Sequence, residues 1–294
     1  MNDKIVFYLG GGGMLGLFGA GVLTKVQELD IYDKIEAIYA CSAGVFNSSY
    51  FLTHQMELGS SIYYEDLTQD FIETKNVLHG ALQRMWNGYI KPLDFNKIVN
   101  VMHLDRLIEV AKNDKVLDVS ALESSPIPLY VKLFNTETLD IEYKNIHENN
   151  PWQLLKASAS AIPYYFPSQD NGKYIDAAIK EPLGLEYVLK RHPDSKVIAI
   201  FNLSQKRNVG HYLKNVVEGM VANSMYRGTF SKCFMKREPS IRKDLKIAEE
   251  NERVLLISPS HDFVESWTTD EQELKQFYQD GKDAADIIIE FLKK

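Results

Sequence analysis

Cysteine is scarce in this 294-residue chain, with Cys41 and Cys233 the only two. Two thiols cannot build a disulfide framework, and so low a count fits a reducing compartment. No group of Cys and His has metal-ligand spacing, so neither a metal nor another cofactor is expected. Basic charge is in deficit as well, 33 Lys and Arg against 40 Asp and Glu, for a net −7. That balance speaks against a general nucleic-acid binder. Internal repeats and low-complexity segments are missing too. What remains, 45% hydrophobic and 25% charged residues, is an ordinary globular composition in a chain long enough for one large core. A cytoplasmic protein is expected.

An uncharged run from Ile5 to Leu23 invites a signal peptide or a membrane anchor. Seven of its residues are glycine, a helix-weakening composition, and its basic flank is only Lys4 beside Asp3. No small-x-small cleavage site follows. The run reads instead as a buried strand, Ile5–Leu9, a loop Gly10-Gly11-Gly12-Gly13, and a buried helix from Met14 that becomes amphipathic towards Leu29. Four glycines between strand and helix leave backbone N–H groups uncovered at a helix entrance. Such a place suits an anion, either a phosphate or the oxyanion of an acyl-transfer intermediate. Gly11-x-Gly13-x-x-Gly16 also fits a dinucleotide fingerprint. That motif wants an acid at the end of the second strand, and here Ile35–Ala40 runs into Cys41-Ser42. No Gly-Lys-Ser/Thr follows, which removes a P-loop.

Ser42 lies in Ile38-Tyr39-Ala40-Cys41-Ser42-Ala43-Gly44-Val45-Phe46, between an apolar run and a helix start. A serine on a sharp strand-to-helix turn, a nucleophile elbow, presents its hydroxyl clear of the sheet. The turn brings flanking backbone together and needs small neighbours, which Ala40 and Gly44 supply. An ordinary Ser at a helix N-cap is the plainer reading of the same five residues.

A second cluster starts at Asn150-Pro151, which opens a helix as cap and first residue. Its small residues Ala157-Ser158-Ala159-Ser160-Ala161 permit close packing, and Pro163 is expected to end it. Tyr174-Ile175 then forms a short strand delivering Asp176 into Ala177-Ala178. An acid among small residues suits close approach to another element; a turn Asp bonded to local backbone is the simpler alternative.

A glycine loop after the first strand, an elbow serine after the second, Ala-Ser-x-x-x-x-Pro-x-x-Phe-Pro and then Tyr-Ile-Asp follow one another in this order over residues 4–182. In these motifs the chain resembles the patatin-like phospholipases, lipid acyl hydrolases with a Ser-Asp dyad and no catalytic histidine. The resemblance implies Ser42 as nucleophile, Asp176 as general base and Gly11, Gly12 and Gly13 as the oxyanion loop. Three positions depart from the family pattern. Leu15 stands where Arg or Lys is usual, Ala40 where Gly is usual, and Asp176-Ala177-Ala178 where Asp-Gly-Gly or Asp-Gly-Ala is usual. The implied substrate is a phospholipid or another acyl lipid. A catalytically inactive module that binds lipid or protein is the alternative. A histidine triad is a further one, with His261, after the strand Arg253–Ser258, the best placed of seven His. Cys41, just before the elbow apex, reads as a small buried hydrophobe.

The rest of the chain completes an α/β fold, a mostly parallel sheet sandwiched by helices. Residues 60–112 read as helices, including Phe95–Met102 and Asp105–Ala111. Leu129–Asn135 and Leu139–Tyr143 read as adjacent strands, Lys196–Asn202 as a buried one, and Asp270–Leu292 as one long closing helix. Residues 183–294 are expected to finish the domain begun by 4–182. Within 205–246, ten Lys or Arg face three acids, with Tyr212, Met220, Phe234 and Met235 interleaved. The segment is a solvated helix face or a peripheral contact with anionic lipid.

Overall fold

The computed structural model describes residues 4–29, 31–68, 71, 100–167, 172–206, 208–226, 230–260 and 268–294. Its centre is β1 (Ile5–Leu9), five consecutive buried residues. Ile5, Phe7 and Leu9 join one core cluster, and Val6 and Tyr8 join another. Successive side chains of a strand point to opposite faces, so β1 is covered on both sides.

The glycine loop leads from β1 into α1 (Gly16–Glu28), and the chain returns through β2 (Ile35–Ala40) to α2 (Ala43–Leu52) and α3 (Met56–Ser61). After α4 (Leu104–Glu109) and α5 (Val119–Glu123) come β3 (Leu129–Asn135) and β4 (Asp140–Asn145). Then follow α6 (Pro151–Ala159), β5 (Tyr174–Asp176), α7 (Leu185–Arg191) and β6 (Lys196–Ile200). The chain ends with α8 (Val209–Tyr226), α9 (Phe230–Glu250), β7 (Val254–Ile257), α10 (Glu271–Ala284) and α11 (Ile287–Lys293). No helix among the described residues is long and apolar enough to cross a membrane.

The sheet order is β4-β3-β2-β1-β6-β7, with β5 also paired to β3. All pairings are parallel except β3 with β4 and β3 with β5. This is the mostly parallel α/β sandwich expected, with β6 and β7 supplied from beyond residue 182. The pairing of β3 fixes the geometry of everything below. β2 pairs with its first half, Ala40 opposite Val131, and β5 pairs with its second half, Asp176 opposite Leu133. With β4 alongside β3 over residues 130–135, β2 and β5 lie end to end along its other edge. Ala40 and Asp176 are thereby two β3 positions apart, roughly 7 Å along the strand.

Several expected boundaries move. Helix α6 stops at Ala159, ahead of Pro163, because the Ser160 carbonyl accepts from Asp176 N–H at 3.2 Å instead of continuing the helix. Leu139 belongs to the turn before β4, at φ 60°. The closing helix divides at Ala285 and Asp286, whose amides bond three residues back, to Lys282 and Asp283; this tightened turn separates α10 from α11. Of the helix expected at Phe95–Met102, residues 95–99 lie outside the described residues, and 100–102 are not helical. Val101 and Met102 N–H both point to the Tyr164 carbonyl, at 3.0 and 3.1 Å.

Candidate active site

Ser42 sits between β2 and α2 at φ 55°, ψ −127°, a conformation that L residues rarely adopt. Holding a non-glycine residue there costs about 1–3 kcal/mol and is sustained only where the surroundings fix it. Four contacts do so. Cys41 N–H donates to the Leu9 carbonyl at 3.0 Å, and Gly44 N–H and Val45 N–H donate back to Cys41 and Ser42. The fourth is Ser42 N–H itself, which donates to Ser158 Oγ at 2.7 Å. The small residues of α6 thus seat that helix against the elbow. Gly44 is needed for the approach, since a Cβ there would lie 2.6 Å from the Leu9 carbonyl oxygen.

Beside Ser42 runs the glycine loop. A Cβ on Gly11 would fall 2.7 Å from Ser42 Cβ, so the loop backbone lies directly against the serine. Gly12 and Gly13 take φ 150° and 59°, which glycine alone adopts cheaply. Asn202, just beyond β6, holds the loop with Nδ2 donating to the Gly10 and Gly11 carbonyls at 2.8 and 3.3 Å. Those bonds turn the carbonyls towards Asn202. The amides of Gly11, Gly12 and Gly13 donate to nothing among the described residues.

Asp176 closes the arrangement. It is 4% exposed and accepts from Ala178 N–H at 2.8 Å and from the Cys41 thiol at 3.3 Å. Burial raises its pKa above the ordinary carboxylate value; the Ala178 amide, the Ser42 hydroxyl, the Cys41 thiol and the charge of Arg237 pull the other way. Burial prevails, so this carboxylate is a better proton acceptor than a solvated one. Cys41 itself is fully buried, and desolvation first, then the Asp176 charge, drives its own pKa far up. A thiol so placed is a donor, not a nucleophile.

Ser42, Asp176, Gly12 and Gly13 open together on one cavity of about 170 Å³. Its walls include Phe46, Ile62, Leu67, Met102 and Leu104 from the α2–α4 side, and Lys214, Glu218 and Arg237 from α8 and α9.

Residues 7–189 match the family described as Patatin-like phospholipase. The chain belongs to that family. Among solved structures it is similar to VipD from Legionella pneumophila, at 13% identity and a TM-score of 0.48, over 99% of this chain and 67% of that one. It is also similar to a chain of the heterodimeric ExoU–SpcU complex of the Pseudomonas aeruginosa type III secretion system, at 13% identity and a TM-score of 0.39, over 99% and 52%. The chain thus spans about two thirds of the first and half of the second. No curated protein sequence matches it.

Two of the departures from the family pattern have a backbone explanation. The non-glycine residues with positive φ, among those described, are Ser42, His54 and Leu139. Ala40, Ala177 and Ala178 therefore occupy conformations open to any L residue, and a methyl group there costs no backbone strain. Leu15 joins the main apolar core at 9% exposure. His261 lies outside the described residues. Arg237, expected among surface cations, turns into the cavity. Sequence reasoning missed Ser158, Asn202 and Arg237 as parts of this constellation and took Cys41 for packing alone. An Asn ending an apolar strand beside a glycine loop was the one available signal.

Proposed function

We propose that the chain is a lipid acyl hydrolase of the phospholipase A type, acting through an acyl-Ser42 intermediate. One observation carries this reading: a strained serine, a buried carboxylate and uncommitted glycine amides meet at an apolar cavity. In the first step Asp176 accepts the Ser42 proton as Oγ attacks the ester carbonyl carbon. The negative charge that forms on the carbonyl oxygen is held by the loop amides of Gly11, Gly12 and Gly13, where a single donor is worth about 2.7–4 kcal/mol. The C–O bond to the lipid alcohol then breaks, and the alcohol leaves with the proton from Asp176. In the second step Asp176 takes a proton from water, the hydroxide attacks acyl-Ser42, and the fatty acid departs as Ser42 regains its proton. Neither step draws on a histidine or a metal.

Peripheral contact with anionic lipid belongs to the same proposal. Helix α8 exposes Val209 (74%), Leu213 (58%), Val217 (57%) and Met220 (48%) along one face. Lys206 just before α8, Lys214 on it, and Lys232 and Lys236 on α9 are exposed cations. Lys214 also lines the cavity, so a bilayer taken up on this face would lie at the cavity's own helix.

Intact-mass analysis with a fluorophosphonate tests the chemistry. Wild type is expected to gain one adduct, S42A none, and D176N a reduced amount. Folded wild type without an adduct would favour the inactive lipid- or protein-binding module, for which Leu15, in place of the usual loop cation, would be a sign.

A further inference from the structure

The cavity carries one cation whose hydrogen bonding is only half used. Arg237 Nη1 donates to Glu218 Oε2 at 3.1 Å and to Asn215 Oδ1 at 3.4 Å. Its Nε and Nη2 make no hydrogen bond among the described residues, and the side chain is 22% exposed. Glu218, with a side chain 7% exposed, is no spare anion. It accepts from Tyr164 at 2.6 Å and lies 3.9 Å from Lys214, besides its pair with Arg237. One buried carboxylate thus orients one edge of a guanidinium, while Lys214 adds a second positive charge nearby. Glu238, bonded by Asn215 Nδ2 at 3.3 Å, is the other acid of the cluster. A guanidinium edge of this kind offers two parallel donors, matching two oxygens of a phosphate.

The mostly apolar wall from α2 to α4 suits an acyl chain, and its polar members Asn47, Tyr50 and Tyr63 already donate to protein oxygens. The polar wall from α8 and α9 instead holds Arg237 and Lys214, and Ser42 opens on the same space. We propose that Arg237, oriented by Glu218 and Asn215, binds the phosphodiester of a glycerophospholipid whose acyl ester lies at Ser42. The site therefore takes phospholipid or lysophospholipid in preference to neutral glyceride or galactolipid, which carry no anion there. This rests on the hydrolase reading for its placement of the ester, but the binding step needs no turnover. Arg237 and Asp176 line the same cavity, and the guanidinium charge favours the ionised carboxylate.

The experiment is calorimetric titration of the whole chain with two uncleavable short-chain lipids below their micelle concentration. One is a dialkyl-glycerophosphocholine, the other the corresponding dialkylglycerol without phosphate. Wild type should bind the phosphodiester about tenfold to a hundredfold more tightly than the glycerol, the worth of a charge-assisted contact. R237Q should lose that preference. R237K, which keeps the charge beside Glu218 without the fork, should retain part of it. Should R237Q fail to fold, as thermal unfolding would reveal, R237K carries the test by its reduced preference alone. Equal binding of both lipids by wild type, or a preference unchanged in folded R237Q and in R237K, would overturn the proposal. So would inorganic phosphate displacing the dialkyl phospholipid at comparable concentration, which would assign the site to a free anion. Loss of the hydrolase reading would show separately, as turnover of a cleavable ester that survives in S42A.

Discussion

Two buried aspartates, Asp176 and Asp244, look alike by composition and differ in everything around them. Both are almost wholly buried, 4% and 3% exposed, and burial raises the pKa of both. Asp176 lies on a cavity, bonded by a backbone amide and a thiol, and forms no ion pair among the described residues. Asp244 packs on the opposite side of the sheet, where its Oδ1 accepts from Leu185 N–H at 3.1 Å and its Oδ2 has no partner among the described residues. Near it Lys132, with no exposed surface, binds the Glu181 and Leu183 carbonyls and pairs with Glu181 Oε2 at 2.6 Å. Beneath that ammonium lie the rings of Tyr8 and Tyr143, at 5.7 and 5.8 Å. One carboxylate is desolvated next to empty space; the other is desolvated next to a fixed cation. A raised pKa alone does not separate chemistry from architecture, whereas the neighbouring cavity does.

Substitution should split the two sites most sharply in activity. D176N is expected to lower esterase kcat/KM by roughly a thousandfold, within the span of general-base effects, and to leave thermal unfolding unchanged or raised, since a desolvated charge is removed. D244N is expected to keep its kcat/KM within about threefold. Comparable loss in both variants would erase the distinction.

Stability should split them the other way. K132M leaves Glu181 and Asp244 without their buried cation, and breaking such a pair costs about 3 kcal/mol or more. Urea unfolding should show that loss, while S42A, which strands no charge, should unfold within about 1 kcal/mol of wild type.

The pH dependence sharpens the comparison further. Asp244 stands at about 6 in the folded chain, against an ordinary 3.8. The folded state therefore holds this proton more tightly, and stability falls as pH rises from about 4 to about 6, then levels off. That gap corresponds to at most about 3 kcal/mol. D244N should flatten this part of the profile in denaturant titrations at stepped pH. A wild-type profile already flat between those limits would place the ionisation elsewhere.

How far these regions were legible beforehand follows from the range of the interactions. The elbow at Ser42, the glycine loop and the Asn150 cap are set by neighbours in sequence, and their residue types disclosed them. β1 was legible as an unbroken apolar run, and β2 and β3 as largely apolar runs that Glu36 and Lys132 interrupt. Local pattern showed Asp176 only as the end of a short strand among small residues, and the family resemblance alone implied its role; its approach to the elbow depends on β2 and β5 sharing one edge of β3, a register no local pattern encodes. The contacts of Ser158 and Asn202 join residues 116 apart or more, and those of Arg237 join α9 to α8. Lys132 sits in a strand that reads as apolar, and its partner Glu181 comes from a turn after β5. The closing helix read as continuous because its apolar face continues across Ala285, and only the backbone turn divides it.

The smallest expected effect concerns Cys41, the residue that sequence took for packing. Its thiol donates to the carboxylate proposed as base, and this contact favours the ionised form of Asp176. Removing it in C41A should move the acid limb of the kcat/KM profile to higher pH, because burial then acts with less opposition. The plateau at alkaline pH should change by less than about tenfold, the worth of one ordinary hydrogen bond. C41S restores a donor at the same position, and its acid limb should return towards wild type. A cavity effect alone would lower stability in C41A without moving the limb, and would show no difference in profile between C41A and C41S. The pH profile of the pair therefore tells a thiol that tunes the acid from one that merely fills space under the elbow.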